Sequence, residues 1–474
     1  MKLKLPLCIF MVFGCSLQLL AQETNYKFEN YGNRSVLLLG NVTGSVNDLG
    51  LTYYNPSRLA LAKNTTFTIN AKAYDYSRIR LNNNVGPEDA AIRSKNFDGI
   101  PSMVAGTFKF KGEQFAYSSF SKFRNSINLN YDTPFKEADI VAAVEGDEMY
   151  STRIKLNNAV KDEWVGITWA KSLNDRLSIG VSGFFSIYRN SGGTALGNTV
   201  MYGENRVAYF NEEISYSQES YGLFWKIGAS YRGKGVDFGM TMTLPYWELL
   251  SNSRYGYNKV ISGVGSGSDQ SVIAGFKDLD ATRKQPFGIA VGAGVPLGKS
   301  MLHLNVEWFN GLKNYSRFAV PEFDISDTET LSPEFYQDLK SVVNFGAGAE
   351  IYIRHNLNAY ASFSTDFSAE RESANFFDLS SSNGSLINMG DDFLHMAAGF
   401  DYSLKWGRII LGCTYANGSS EYTTSLNLLG TFLGATNETS KLDYTRWRFV
   451  VGIEVPFFDN IIPIKKDEEK DDEP

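Results

Sequence analysis

The residues of this sequence that could carry out covalent or metal chemistry are few and widely separated. Its 474 residues include only three histidines and three cysteines. His303 and Glu307 share one face of a predicted strand, but four residues of strand separate them by roughly 13 Å, too far for an acid–base pair. The sequence has no Gly-x-Ser-x-Gly elbow and no His/Cys cluster with metal-ligand spacing. We therefore predict no enzyme, no catalytic residue, no metal and no cofactor; a lipid hydrolase using His303 or His395 is the competing interpretation.

Charged side chains recur at strand positions opposite the apolar face. If that apolar face meets lipid, the charges point into an interior, where opposite charges can pair with one another or with an interior segment. Packing of such a segment is the preferred interpretation, and a path for a polar substrate is the alternative. The candidates are Lys226, His303, Glu307, Glu350, Arg448 and Glu454, together with Asp237, Asp401 and Arg446.

Composition excludes several other classes of protein. Hydrophobic residues make up 43% of the chain, which excludes a disordered protein, and 33 Phe and 26 Tyr make it rich in aromatic side chains. The formal net charge of −7 does not fit a nucleic-acid-binding protein, which needs a basic surface.

Residues 1–21 have the pattern of a cleaved secretory signal peptide. Lys2 and Lys4 precede an apolar stretch that ends before Ala21. A lipoprotein cut before Cys15 is the alternative, but the bulky Phe13 argues against it. The chain has no later apolar run of about 18 residues, so a mature protein that crosses a membrane would do so with strands.

From residue 65 onward, apolar residues alternate with small or polar ones, the period of a strand with two different faces. Six of the gaps between runs are tight turns, and the seven others span roughly 20 to 40 residues. Short and long gaps alternate along the whole chain. The fourteen runs are 65–74, 102–110, 113–122, 163–171, 176–189, 219–232, 235–245, 284–295, 300–310, 342–353, 356–366, 393–404, 407–417 and 445–456.

This alternation predicts an all-β fold: a 14-stranded antiparallel transmembrane β-barrel over residues 65–458, in the bacterial outer membrane. Its tight turns would face the periplasm and its seven long loops the exterior. A soluble β-sandwich or propeller is the alternative, but it has no reason to keep one set of turns minimal. Residues 459–474 are expected to form an acidic periplasmic tail.

Residues 22–64 precede the first predicted strand and are expected to fold inside the barrel as a hatch. Asn55 suits a helix N-cap and Pro56 the first helical position, so a short helix is expected over 57–62. Tyr53 and Tyr54 give this segment apolar surface to bury.

With Asp48, Tyr53, Tyr54, Asn55 and Pro56 placed before fourteen strand runs, the sequence resembles the FadL/TodX family of outer-membrane transporters. The resemblance covers residues 22–457, although Ser57 and Arg58 stand where that family prefers Ala and Gly. It implies passive transport of hydrophobic small molecules, such as long-chain fatty acids, through a barrel plugged by a hatch. The implied partners are hydrophobic small molecules or lipids and the surrounding outer-membrane lipid.

A second branch, the PorV-like barrels of type IX secretion, looks similar at this level. It implies a protein partner in the periplasm or at the cell surface instead of a small molecule. Within the predicted loops, residues 137–150 and 332–343 are expected to be helical, the second because Ser332-Pro333 suits a helix start.

Overall fold

The computed structural model describes most of the chain beyond the predicted signal peptide. The predicted signal peptide and tail lie outside the described residues. The described ranges contain the helices α1 Arg34–Leu37 and α2 Leu51–Tyr54 and the 3-10 helix Pro56–Leu61. No helix among them is both long and apolar enough to cross a membrane. The described residues are 25–62, 66–82, 92–138, 148–203, 206–263, 269–371, 383–385, 392–424 and 438–456.

The other regular elements of these ranges are β-strands. They are β1 Thr66–Asn82, β2 Ile92–Phe110, β3 Glu113–Asp132, β4 Lys136–Ala138, β5 Glu148–Ser172, β6 Leu177–Tyr202, β7 Arg206–Arg232, β8 Asp237–Thr243, β9 Trp247–Ser262, β10 Gln270–Asp280, β11 Gly288–Leu297, β12 Ser300–Phe309, β13 Leu312–Ala319, β14 Phe323–Asp324, β15 Thr330–Leu331, β16 Glu334–Leu339, β17 Val342–Arg354, β18 Leu357–Asp366, β19 Asn383–Ser385, β20 Phe393–Ser403, β21 Arg408–Thr424 and β22 Glu438–Pro456.

Fourteen of these strands form a closed antiparallel barrel, which confirms the predicted fold class. The order around the wall is β1, β2, β3, β5, β6, β7, β8, β11, β12, β17, β18, β20, β21 and β22. The last strand pairs with the first from Thr66–Pro456 to Asn82–Lys441, so the sheet returns to its start. The hairpin of β9 and β10 extends the wall beyond β8 and β11.

The six predicted tight turns are confirmed, because each joins two adjacent wall strands at the same end of the barrel. The turn between β2 and β3 consists of Lys111 and Gly112, both with positive φ (50° and 83°). Two such residues give the twist that a two-residue hairpin needs, and glycine adopts this conformation without strain.

Much of the chain expected as loops is strand. The β6–β7 ladder runs without a break from Leu177–Tyr231 to Tyr202–Arg206, so residues 190–202 and 206–218 of the predicted loop are strand. The predicted helix over 332–343 is wrong, because Glu334–Leu339 is a strand that pairs with β13. Of the predicted helix over 137–150, both ends belong to strands and residues 139–147 lie outside the described residues.

The long strands change polarity along their length. Near the tight turns, β5 exposes Val165 and Ile167 and buries Thr168. Toward its other end, β5 buries Ile154 and Leu156 and exposes residues such as Arg153, Lys155 and Lys161. The first arrangement suits a wall surrounded by lipid, and the second suits a wall surrounded by water. We call the first part the membrane band.

Two buried apolar clusters fill the interior. One lies above the membrane band, where residues 312–339, here called the cap segment, bring Phe318 and Phe335 into stacking contact (ring centroids 4.2 Å apart) against Tyr216. The other lies inside the membrane band and is built around residues 25–62, here called the inner segment.

The inner segment contacts wall strands all around the barrel, at positions where the wall has no side chain. A Cβ on the facing glycines would overlap it, since Asn33 lies against β22, Leu37 against β20 and β21, and Pro56 against β6 and β7. Glycine is required by this close approach of two backbones. The glycines are Gly180, Gly228, Gly239, Gly292, Gly294, Gly346, Gly348, Gly399, Gly412 and Gly452.

We expect Gly180→Ala to displace the inner segment, because the added Cβ would lie 2.6 Å from the Pro56 carbonyl carbon. Overpacking of this kind typically lowers the free energy of unfolding by about 1–3 kcal/mol. Gly275→Ala on β10 is the matched control, since a Cβ there meets open space. Urea unfolding in detergent would measure the difference, and equal stability of the two variants would contradict the close approach.

Candidate functional site

The wall of the barrel opens between β2 and β3. Their ladder runs only from Met103–Phe120 to Phe110–Glu113. On either side, β1 stays paired with β2 up to Leu81–Ile92, and β3 with β5 up to Asp132–Arg153. Within the described residues, 92–102 and 121–132 therefore form no ladder with each other, and a gap separates them.

The gap begins at the outer edge of the membrane band. Next to β3, the outward residues of β5 change from apolar Val165, paired with Ser119, to charged Lys161, paired with Arg124. Unpaired strand edges are costly in hydrocarbon but can be hydrated at the boundary with water. The gap therefore lies at the end of the membrane band away from the tight turns, where its unpaired strand edges are physically permitted.

The inner segment lies directly behind this gap. A bulge between Ser121 and Phe123 leaves Lys122 outside the regular β3–β5 pairing. The Tyr31 hydroxyl donates to the Lys122 carbonyl at 2.6 Å. On the other side of the gap, Ser102 Oγ donates to the Asn30 carbonyl at 3.4 Å.

Aromatic rings cover the lumen side of this region. The Tyr31 ring lies 4.5 Å from Phe120 and 4.7 Å from Tyr53, measured between centroids. The patch continues from β3 to β7, where Trp164 stacks on Phe224 at 4.2 Å. A surface of this kind favours planar or apolar ligands, because aromatic rings bury large area with little loss of conformational entropy.

Two lysines meet over the exposed part of this patch. Lys226 Nζ lies 3.8 Å from the Tyr53 ring centroid and Lys122 Nζ lies 5.7 Å from the same point. Lys226 is only 6% exposed. No ion pair with a carboxylate of the described residues involves either lysine, and the face of the Tyr53 ring is the partner that both of them contact.

The nearby carboxylates already have other cationic partners. Asp162 accepts from Arg283 Nη2 at 2.7 Å and from Ser186 Oγ at 2.6 Å. Glu307 pairs with Lys27 of the inner segment at 3.1 Å. The two lysines therefore have no carboxylate partner of their own in a largely apolar site, and an anionic ligand bound there would supply the counter-charge that keeps both ammonium groups charged.

Residues of the hatch motif predicted from the sequence form hydrogen bonds that hold the inner segment together. Asp48 accepts from the Ser35 backbone N–H (2.8 Å) and hydroxyl (2.7 Å). The Tyr54 hydroxyl accepts from the Tyr31 N–H at 3.0 Å. Asp48 and Tyr54 thus stabilise the fold of the segment, and Tyr53 is the member of the motif that faces the lysines.

Asn55 connects this fold to the wall. Its side chain accepts from the Ser57 N–H at 3.2 Å, and Pro56 occupies the first position of the 3-10 helix, so the predicted helix start is confirmed. The Asn55 amide also donates to the Thr43 carbonyl at 2.7 Å and to the Ala229 carbonyl of β7 at 3.1 Å. One side chain therefore caps the helix and fixes it against the barrel.

Among the other predicted interior charges, His303 and Glu350 form a separate arrangement. His303 Nδ1 is 2.6 Å from Ser45 Oγ, and His303 Nε2 is 3.9 Å from Glu350. Ser45 and His303 are 2% and 1% exposed, so this arrangement has no room for a substrate and attaches the inner segment to β12. Within the described ranges, no group of His, Cys, Asp and Glu could hold a metal ion.

Three of the predicted charges, Arg446, Arg448 and Glu454, lie on β22, and Arg446 is in the same cluster as Arg448. Arg448 joins a buried ion-pair cluster with Glu29 and Asp75. Glu454 lies nearer the tight turns, in register with Thr68 on β1 and with Arg408 on β21.

Two important residues were missing from the sequence prediction. Lys122 was missed because strict alternation ignores the bulge that turns it toward the lumen. The signal was the spacing of Phe120 and Phe123, both buried although three residues apart. Tyr31 was missed because its partner is a backbone carbonyl far along the chain.

Comparison with known proteins bears on the fold. No family model matches the sequence, and no curated protein matches it. Among solved structures, a FadL homologue from Pseudomonas aeruginosa superimposes with a TM-score of 0.54 at 11% identity, covering 91% of this chain and 100% of that one. The Pseudomonas putida toluene transporter TodX gives 0.54 at 11% identity, covering 90% and 99%. A TodX deltaS2S3 mutant, described as a monoaromatic hydrocarbon channel, gives 0.57 at 12%, covering 91% and 100%.

At these identities the likeness concerns the fold. The chain has the barrel fold of the FadL and TodX proteins, which the sequence resemblance predicted. The PorV-like alternative stays a prediction, as do the boundaries of the signal peptide, hatch and tail.

We expect Tyr31→Phe to loosen the wall at the gap, since the Lys122 carbonyl loses its donor. The loss of one buried hydrogen bond should cost about 1–3 kcal/mol locally. Amide hydrogen exchange of β3 around the bulge would detect this as faster exchange. Tyr117→Phe, on the exposed outer face of the same strand, is the control, and identical exchange in both variants would contradict the assignment.

Proposed function

We propose that this protein is a bacterial outer-membrane channel for the passive passage of hydrophobic small molecules. The observation that carries the proposal is the gap between β2 and β3, with an aromatic patch directly behind it. The free energy of a hydrophobic compound falls when it leaves water for the membrane, and the aromatic patch then offers it a second apolar site. Structurally similar proteins that are described as a toluene transporter and a monoaromatic hydrocarbon channel support this class of ligand.

The gap provides a lateral route between the lumen and the outer boundary of the membrane. Toward the tight turns, the lumen is occupied by the inner segment, which acts in this proposal as the hatch. Toward the exterior, the cap segment packs into the barrel mouth. A compound on the aromatic patch therefore exchanges sideways through the gap, and passage past Tyr53 requires displacement of the inner segment.

The lysine pair favours compounds that carry an acidic group, such as long-chain fatty acids. A purely neutral hydrocarbon would leave Lys122 and Lys226 without a counter-charge in an apolar site. A carboxylate placed over Tyr53 would accept hydrogen bonds from both ammonium groups while its apolar tail covers the rings. Charge-assisted hydrogen bonds of this kind are roughly twice as strong as neutral ones.

Replacing Lys226 by Met should weaken binding of decanoate but not of 1-decanol, because only the acid loses a charged donor. The loss of a charged hydrogen bond, about 1.5–3 kcal/mol, corresponds to a roughly 10- to 100-fold higher Kd. Titration calorimetry with purified barrel in detergent would measure both ligands. Lys171→Met, at an exposed lysine near a tight turn, is the control. An equal effect on acid and alcohol would contradict a carboxylate site.

Asn55→Ala should make reconstituted barrels leak, because the inner segment loses its bond to β7 and the cap of its 3-10 helix. Losing such a cap lowers the stability of the folded segment by about 0.5–2 kcal/mol, so the inner segment would detach from the barrel wall more often. Ion conductance across a planar bilayer would report the leak. Asn157→Ala, on the exposed face of β5, is the control. Unchanged conductance of the Asn55 variant would contradict the role of the inner segment as a hatch.

A further inference from the structure

A cluster of four buried charged side chains lies at the seam where the first and last strands of the barrel meet. The Asp75 carboxylate, on β1, accepts from Arg446 Nη2 at 2.6 Å and from Arg448 Nε at 2.8 Å, both on β22. Glu29, on the inner segment, accepts from Arg446 Nη2 at 2.9 Å and also from Arg448. The side chains of all four residues are at most 8% exposed.

The charges of this cluster balance only when the inner segment is present. The seam strands alone contribute two guanidinium groups and one carboxylate, and Glu29 supplies the second carboxylate. Removing one partner from a buried ion pair leaves a charge without compensation, which is strongly destabilising. Closing β1 against β22 without Glu29 would therefore bury a net positive charge.

Other contacts of the inner segment strengthen its hold on the same seam. Arg446 lies over the Phe28 ring, with its guanidinium carbon 4.2 Å from the centroid, and Arg448 Nη1 donates to the Phe28 carbonyl at 3.1 Å. Further along the seam, Asn70 of β1 donates to Asn33 Oδ1 at 3.3 Å. Gly452, the register partner of Asn70 on β22, has no side chain that would obstruct Asn33. The inner segment thus contacts both seam strands at two levels.

The remaining ion pairs between the inner segment and the wall have a different topology. Arg58 pairs with Asp237 of β8 at 3.1 Å, and Lys27 pairs with Glu307 of β12. Each pair reaches a single strand that a tight turn already joins to one neighbour, β7 for β8 and β11 for β12. The seam has no such turn, since its two strands lie at opposite ends of the barrel sequence, and bringing them together carries the largest loop-closure cost.

From this geometry we propose that the inner segment has a second function, in barrel assembly: Glu29 completes the charge cluster that allows β1 and β22 to close. The barrel closes around the inner segment, and the segment is not inserted into a finished barrel. This function is independent of transport, because it involves the seam and neither the lysine pair nor the gap.

Closure can be followed with the full-length chain and no ligand. Cysteines introduced at Ile69 and Ile453, which are register partners exposed on the outer face of the seam, report closure by cross-linking with a short thiol reagent in a background of Cys8→Ser, Cys15→Ser and Cys413→Ser. Refolding into detergent would be sampled over time, and a heat-dependent shift on SDS gels would report the folded barrel in parallel.

Glu29→Gln should slow cross-linking of the seam by about tenfold or more, since the cluster then carries a net positive charge. The double variant Glu29→Gln with Arg448→Gln restores charge balance and should recover most of the rate. Arg58→Gln is the matched control, because it removes a buried pair between the inner segment and the wall away from the seam.

Wild-type closure of Glu29→Gln would overturn the proposal. Equal slowing by Glu29→Gln and Arg58→Gln would also overturn it, because a general loss of packing would then explain both. If Glu29→Gln fails to fold at all, recovery in the double variant supports the proposal and its failure there overturns it. Binding of decanoate by variants that do fold tests the proposed channel function separately.

Discussion

The structure depends on one constraint: hydrocarbon offers no water to satisfy the backbone, so each strand edge in the membrane band must be paired. The β1–β22 ladder meets this requirement by closing the sheet. The β2–β3 ladder ends after Met103–Phe120, where the membrane band ends and the constraint no longer applies. The gap is thus placed by the same physics that closes the barrel elsewhere, and its exposed Lys122 carbonyl is satisfied by a tyrosine of the inner segment.

Sequence reasoning predicted the parts of the fold that depend on local pattern. Strand alternation and turn chemistry are properties of neighbouring residues, so the fourteen strands and six tight turns could be found. The strand extensions over 190–202 and 206–218 could not be predicted from outward-facing apolar residues, because water surrounds this part of the wall. At 332–343, Ser332-Pro333 suggested a helix start, but pairing with β13 decided the conformation.

The candidate site could be predicted only where its interacting residues are close together in the sequence. Asn55 and Pro56 could be identified because a cap and its helix lie within a few residues. The pair between Lys27 and Glu307, and the proximity of Lys226 to Tyr53, join distant parts of the chain and have no signature in spacing. The inward glycines were a usable signal that was not used, since a wall face without side chains implies a backbone lying against it.

The reversal of polarity along the long strands has a consequence for how their alignment is specified. On β5, even-numbered positions point inward throughout, yet Thr168 and Ile154 belong to opposite solvent regimes. A shift of β5 by one residue in its pairing register would put polar side chains into lipid at one end and apolar side chains into water at the other. Each end of the strand therefore raises the free energy of the shifted register independently. Because both ends belong to one continuous ladder, the two costs add.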